Sequence, residues 1–119
     1  MKAKFLALFL FAGLLAIMHA SPAFAQGEPQ RIEITAKRFG YTPNEITVKV
    51  GKPVLLVLKS LDVAHGLRVR DLGIDMKVKA GQTSQVEFTP SKVGDFVGHC
   101  SVFCGSGHGS MTFKLHVVS

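Results

Sequence analysis

From Ile32 to Val118 the sequence is a succession of short apolar segments separated by turn residues, and no stretch keeps a helical apolar period. Ile32-Glu33-Ile34-Thr35-Ala36 and Ile46-Thr47-Val48-Lys49-Val50 alternate apolar with polar side chains, the pattern of a half-buried strand. Val54-Leu55-Leu56-Val57-Leu58 is continuously apolar, as expected of a central strand covered on both faces. Further strands are predicted over Gly66 to Arg70, Asp75 to Lys79, Ser84 to Phe88, Asp95 to His99 and Thr112 to Val118. Turns are expected at Gly51-Lys52-Pro53, Asp71-Leu72-Gly73, Ala80-Gly81-Gln82 and Thr89-Pro90-Ser91. Roughly eight short strands at this spacing predict an all-β chain folded as a two-sheet sandwich with Greek-key connections.

The first residues read differently. Lys2 and Lys4 precede an apolar run from Phe5 to Met18, and Ala23-Phe24-Ala25 stands before the polar Gln26, the layout of a cleavable secretory signal over residues 1–25. The run is shorter than the ~20 apolar residues of a spanning helix and is followed by Ser21-Pro22. A signal of this kind predicts a periplasmic or otherwise exported protein whose mature part, residues 26–119, is one small domain, with an uncleaved membrane anchor as the less favoured alternative. Loss of Lys2 and Lys4 lowers the formal charge from +6 to +4, and the remaining basic residues are scattered among acids. No run of them suggests a nucleic-acid partner.

The chemistry concentrates between the last two strand candidates. Cys100, Cys104, His108 and Met111 lie in a segment that also holds Gly105, Gly107 and Gly109, residues that let the backbone fold closely around a small object. An exported chain with two cysteines ordinarily suggests a disulfide, and two cysteines with His65 and His108 would suit tetrahedral zinc. Neither alternative has a use for Met111. Thiolate, imidazole and thioether form a soft donor set suited to copper, and a mononuclear blue-copper site needs only one cysteine. Two thiolates four residues apart can each bridge a pair of ions, so the second cysteine predicts two coppers. A second imidazole is then needed, and His65, at a strand end before Gly66, is the best placed. His99 should point away from the loop by strand alternation, and His116 is expected to be structural.

Asp62-Val63-Ala64-His65, taken with Cys100-Ser101-Val102-Phe103-Cys104-Gly105-Ser106-Gly107-His108-Gly109-Ser110-Met111, resembles the binuclear CuA site of cytochrome c oxidase subunit II and nitrous oxide reductase. The shared pattern is Cys-x3-Cys-x3-His-x2-Met after an upstream His, and the resemblance covers most of residues 32–118. It implies a cupredoxin-like fold for residues 26–119. It also implies that Cys100 and Cys104 bridge the coppers, that His65 and Met111 serve one ion, and that His108 and the carbonyl of Val102 serve the other. The family usually has glutamate where Val102 stands, but only the main-chain oxygen is required. The weak Met111 ligand and an apolar shell, for which Phe96, Val102 and Phe103 are candidates, are expected to tune the potential.

Two departures shape the functional expectation. The chain has no Trp, the residue near which oxidase subunits receive electrons, and residues 26–119 contain no spanning segment. A soluble, monomeric electron carrier is therefore expected, exchanging single electrons with a redox protein such as a c-type cytochrome or a respiratory complex. Neither a small-molecule substrate nor an enzymatic activity is expected. The alternative is a copper chaperone or buffer that delivers copper to a respiratory enzyme.

Overall fold

The computed structural model describes residues 27–119; the proposed signal, residues 1–25, lies outside the described residues. Nine strands are present among the described residues: β1 (Gln30–Lys37), β2 (Gly40–Thr42), β3 (Glu45–Lys49), β4 (Val54–Ser60), β5 (His65–Val69), β6 (Ile74–Val78), β7 (Thr83–Phe88), β8 (Gly94–His99) and β9 (Thr112–Val118). They form a four-stranded sheet of order β2-β1-β4-β7 and a five-stranded sheet of order β3-β9-β8-β5-β6. Both sheets are mixed, since β1 runs parallel to β4 and β3 parallel to β9 while the other pairs are antiparallel.

Alternation along each strand builds the core. Ile34, Ala36, Leu56 and Leu58 from the first sheet face Ile46, Val48, Leu67, Val69, Ile74, Met76, Phe113, Leu115 and Val117 from the second, and all are buried. The all-β sandwich expected from the sequence is therefore present. β4 is interior to its sheet, between β1 and β7, and its outward-facing Val57 is also buried, flanked in register by Glu33 and Gln85. Long side chains on neighbouring strands cover such a position with their stems.

Two details differ from the sequence expectation. The ninth strand, β2, is an edge segment of three residues, too short to show a period, held by register pairs such as Ala36↔Tyr41. The expected turn at residues 71–73 is a 3₁₀ turn over Arg70–Leu72, closed by Gly73 at φ 67°, a left-handed conformation that glycine adopts without strain. His65 opens β5 and is part of the strand. It occupies an inward-facing position and is fully buried.

Candidate metal centre

The segment from Cys100 to Met111 connects β8 to β9, adjacent antiparallel strands whose final register pair is His99↔Thr112. It is far longer than a tight hairpin turn and is closed at its neck by the Cys100 N–H donating to the Met111 carbonyl at 3.2 Å. A 3₁₀ turn over His108–Ser110 folds its far side back, with Met111 N–H donating to the His108 carbonyl at 3.3 Å. The loop thus returns Met111 to the end of the core, where it is fully buried.

All six candidate donors converge at this end of the sandwich. The sulfurs of Cys100 and Cys104 are 3.7 Å apart, both in buried free cysteines. His65 Nδ1 lies 3.9 Å from Cys100 Sγ, and the Val102 carbonyl oxygen lies 3.1 Å from the same sulfur. Around Cys104 Sγ stand His108 Nδ1 at 3.6 Å and Met111 Sδ at 3.7 Å. The donor atoms of His65, Cys100 and Cys104 all lie within 4.8 Å of one another, an arrangement able to hold a metal ion. His108 is half-buried at the outer edge, where the Phe103 ring leans over its imidazole with centroids 5.5 Å apart.

The surroundings fix this geometry. Asp62 Oδ1 meets His65 Nε2 at 2.6 Å, leaving Nδ1 to face the sulfurs. Burial alone would raise the Asp62 carboxyl, but the Arg38 N–H, the His65 imidazole and the Val63 N–H outweigh it and hold the group down at about 2. Burial pushes the Cys104 thiol up to about 11; the neighbouring Cys100 adds to the rise and the Arg38 guanidinium opposes it. A metal ion seated there must therefore displace a thiol proton. Tyr41 packs edge-on against Phe113 and donates its hydroxyl to the Gly66 carbonyl at 2.5 Å. Burial, with the adjacent Cys100, lifts that phenol well above its usual range, so it remains a donor. The Gly66 N–H in turn points at Cys100 Sγ at 3.5 Å.

Two of the loop glycines have a steric role. A Cβ at Gly107 would come within 2.5 Å of the Phe39 ring, and one at Gly105, which also has φ 133°, within 3.0 Å of it. A Cβ at Gly109 would meet nothing within 4 Å.

The proposed apolar shell also needs correction. Phe96 lies back along β8, its ring against Gly94 and beneath the Lys92 ammonium, and Phe103 is 78% exposed. Cys100, Cys104 and Met111 belong instead to the buried apolar cluster that also holds Met76 and Phe113. His99 is exposed, lining an open depression with Arg68, Arg70 and Ser101. His116 faces outward from β9 and bridges the carboxylates of Asp95 and Glu45. Arg38, Phe39 and Tyr41 carry no sequence motif linking them to a loop some sixty residues away. Asp62 did carry a signal, its fixed spacing before His65.

Comparison with known proteins places these features in context. The model of the cupredoxin-like domain family matches residues 6–113. The chain is 35% identical over 80 residues to cytochrome c oxidase subunit 2 of Thermus thermophilus, an alignment covering 67% of this chain and 59% of that protein. It thus spans less than two thirds of that relative's length. Among solved structures, the periplasmic domain of subunit II of cytochrome oxidase of Bradyrhizobium japonicum superposes with a TM-score of 0.69 at 23% identity, over 76% of this chain and 84% of that one. Auracyanin A, a "blue" copper protein from Chloroflexus aurantiacus, superposes with a TM-score of 0.63 at 18% identity, over 76% of this chain and 100% of that one. These two likenesses are of fold.

Proposed function

This chain belongs to the cupredoxin-like domain family, and from that premise we propose that it carries single electrons on a binuclear copper centre of the CuA type. The observation that carries this reading is the pair of cysteine sulfurs 3.7 Å apart with two imidazoles, a thioether and a carbonyl oxygen gathered around them. Metal–thiolate bonds of about 2.3 Å reach both sulfurs at a near-tetrahedral angle when the sulfurs have this separation. The pair can therefore flank an ion on either side. The donor set is soft and mixed, which suits copper.

In this reading Cys100 and Cys104 would hold both ions, His65 and Met111 would serve one of them, and His108 with the Val102 carbonyl would serve the other. Copper held there would supply a one-electron couple. The protein's part is to keep the donors still: Asp62 orients His65, the neck hydrogen bond closes the loop, and Phe39 fills the space under Gly105 and Gly107. Donors fixed before the metal arrives have little rearranging to do when the charge changes. Six protein donors leave no position for a substrate, which supports carriage of electrons over enzymatic chemistry.

Residues 1–25 are proposed to direct export, placing residues 26–119 outside the cytoplasm as a monomeric carrier. Among the described residues no helix is long and apolar enough to cross a membrane. The similarity to an oxidase subunit supports a redox partner such as a c-type cytochrome or a respiratory complex. Exposed Phe103, leaning on His108, offers the apolar loop edge such a partner would meet.

Stopped-flow mixing of copper-loaded protein with reduced c-type cytochrome tests the reading. Oxidation of the cytochrome within milliseconds to seconds, with copper retained, is the expected result. Slow electron exchange accompanied by transfer of copper to a metal-free acceptor would instead establish a delivery role.

A further inference from the structure

We propose that Arg38 is a positioning residue, a two-ended strap that ties the His65 segment to the Cys104 loop and sets the spacing of the donors; the role in holding donors rests on the metal-centre reading above. Arg38 directly follows β1, in the four-stranded sheet, whereas His65 opens β5 in the other sheet and Cys104 lies in the loop between β8 and β9. One end of the strap is main chain. The Arg38 N–H donates to Asp62 Oδ2 at 2.9 Å, and the other oxygen of that carboxylate accepts the Val63 N–H at 2.7 Å and meets His65 Nε2 at 2.6 Å. The other end is side chain. Arg38 Nε donates to the Cys104 carbonyl at 2.9 Å, across 66 positions of sequence.

The strap grips a part of the loop that strand pairing leaves free. The neck bond from Cys100 to Met111 fixes only the loop's two ends, and the 3₁₀ turn begins at His108. Cys104 lies between them, and the guanidinium supplies a charge-assisted bond to its carbonyl, a class stronger than bonds between neutral groups. The next residue reinforces the grip, because the Phe39 ring occupies the space that Gly105 and Gly107 leave open. The cation beside Cys104 also favours the more electron-rich state of the site, so the strap acts on potential as well as on position.

Substitution of the side chain severs the Cys104 end and leaves the main-chain end in place. In metal-free, reduced protein, labelling of the two cysteines with a thiol reagent reads the loop directly and needs no copper. Arg38→Gln and Arg38→Lys are each expected to label at least about tenfold faster than wild type, because neither reproduces the planar Nε donor. Arg31→Gln, which removes an exposed ion pair with Glu33, serves as the control and should label at the wild-type rate. In copper-loaded protein, Arg38→Gln should lower the reduction potential and Arg38→Lys should restore most of that loss, a split that a purely structural role would not produce. Unchanged labelling in both variants would overturn the strap. If Arg38→Gln fails to fold, the labelling rate of Arg38→Lys decides alone. Failure of the wild-type protein to bind copper would overturn the metal-centre reading, while the labelling rates would still decide the strap.

Discussion

Asp62 holds His65 by its outer nitrogen: Oδ1 and Nε2 are 2.6 Å apart, and the opposite ring nitrogen, Nδ1, lies 3.9 Å from Cys100 Sγ. The imidazole is fully buried at the mouth of the core, so the carboxylate decides which nitrogen faces the sulfurs. Asp62→Ala should lower copper affinity by roughly 10- to 100-fold, the range found when an outer partner of a metal-binding histidine is removed. Titration against a competing chelator measures this, and affinity within about twofold of wild type would show that packing alone orients His65.

Tyr41 reaches the same strand from the opposite sheet. Tyr41→Phe removes the donor to the Gly66 carbonyl and leaves that oxygen without its partner in a buried residue. The loss is expected to be about 1–3 kcal/mol. Urea unfolding of the two proteins measures it, and equal midpoints would rule out a structural role for the hydroxyl.

The loop and the Phe39 ring are packed closely enough to couple. Gly107→Ala places a methyl within 2.5 Å of the ring and should cost about 1–3 kcal/mol. Combining it with Phe39→Ala should produce a loss smaller than the sum of the two single losses by more than about 0.5 kcal/mol, because the clash is gone once the ring is removed. Strict additivity in the double-mutant cycle would mean that the loop moves away from the ring instead.

At the far side of the five-stranded sheet, His116 joins the carboxylates of Asp95 and Glu45, and these hydrogen bonds raise its pKa above the ordinary 6.5. A folded-state value above the unfolded one stabilises the protein fully below the unfolded pKa and loses that contribution as pH rises through the folded value. The stability advantage of wild type over His116→Gln should therefore be largest near pH 6 and shrink as the solution becomes alkaline. Unfolding midpoints for both proteins across that range test the sign, and an advantage that grows with pH would contradict it.

Legibility in the sequence differed between parts of this molecule for physical reasons. Alternation with a period of two is written residue by residue, so segments such as Thr112 to Val118 could be placed directly, and the structure has that strand at the same bounds. β2, with three residues, offers too few positions to show a period. The donor residues were visible because soft side chains at close spacing are uncommon, and the structure brings His65, Cys100, Val102, Cys104, His108 and Met111 to one end of the sandwich. Of their supports, Asp62 carries a local signal in its spacing before His65, and the others carry none. Arg38 and Phe39 act on the loop through a hydrogen bond and a ring contact between segments far apart in sequence, and nothing local to either residue encodes that meeting. Phe103 illustrates the opposite error, an apolar residue beside the donors whose ring lies mostly in solvent.

In the proposed centre two coppers would share the Cys100 and Cys104 sulfurs. Electron paramagnetic resonance of fully copper-loaded protein, with metal content measured on the same sample, tests it most directly. Two coppers per chain are expected, with a mixed-valence spectrum in which one unpaired electron couples to two equivalent copper nuclei, and Cys104→Ser should reduce the content to one. A single copper per chain at full loading, with hyperfine coupling to one nucleus, would contradict it.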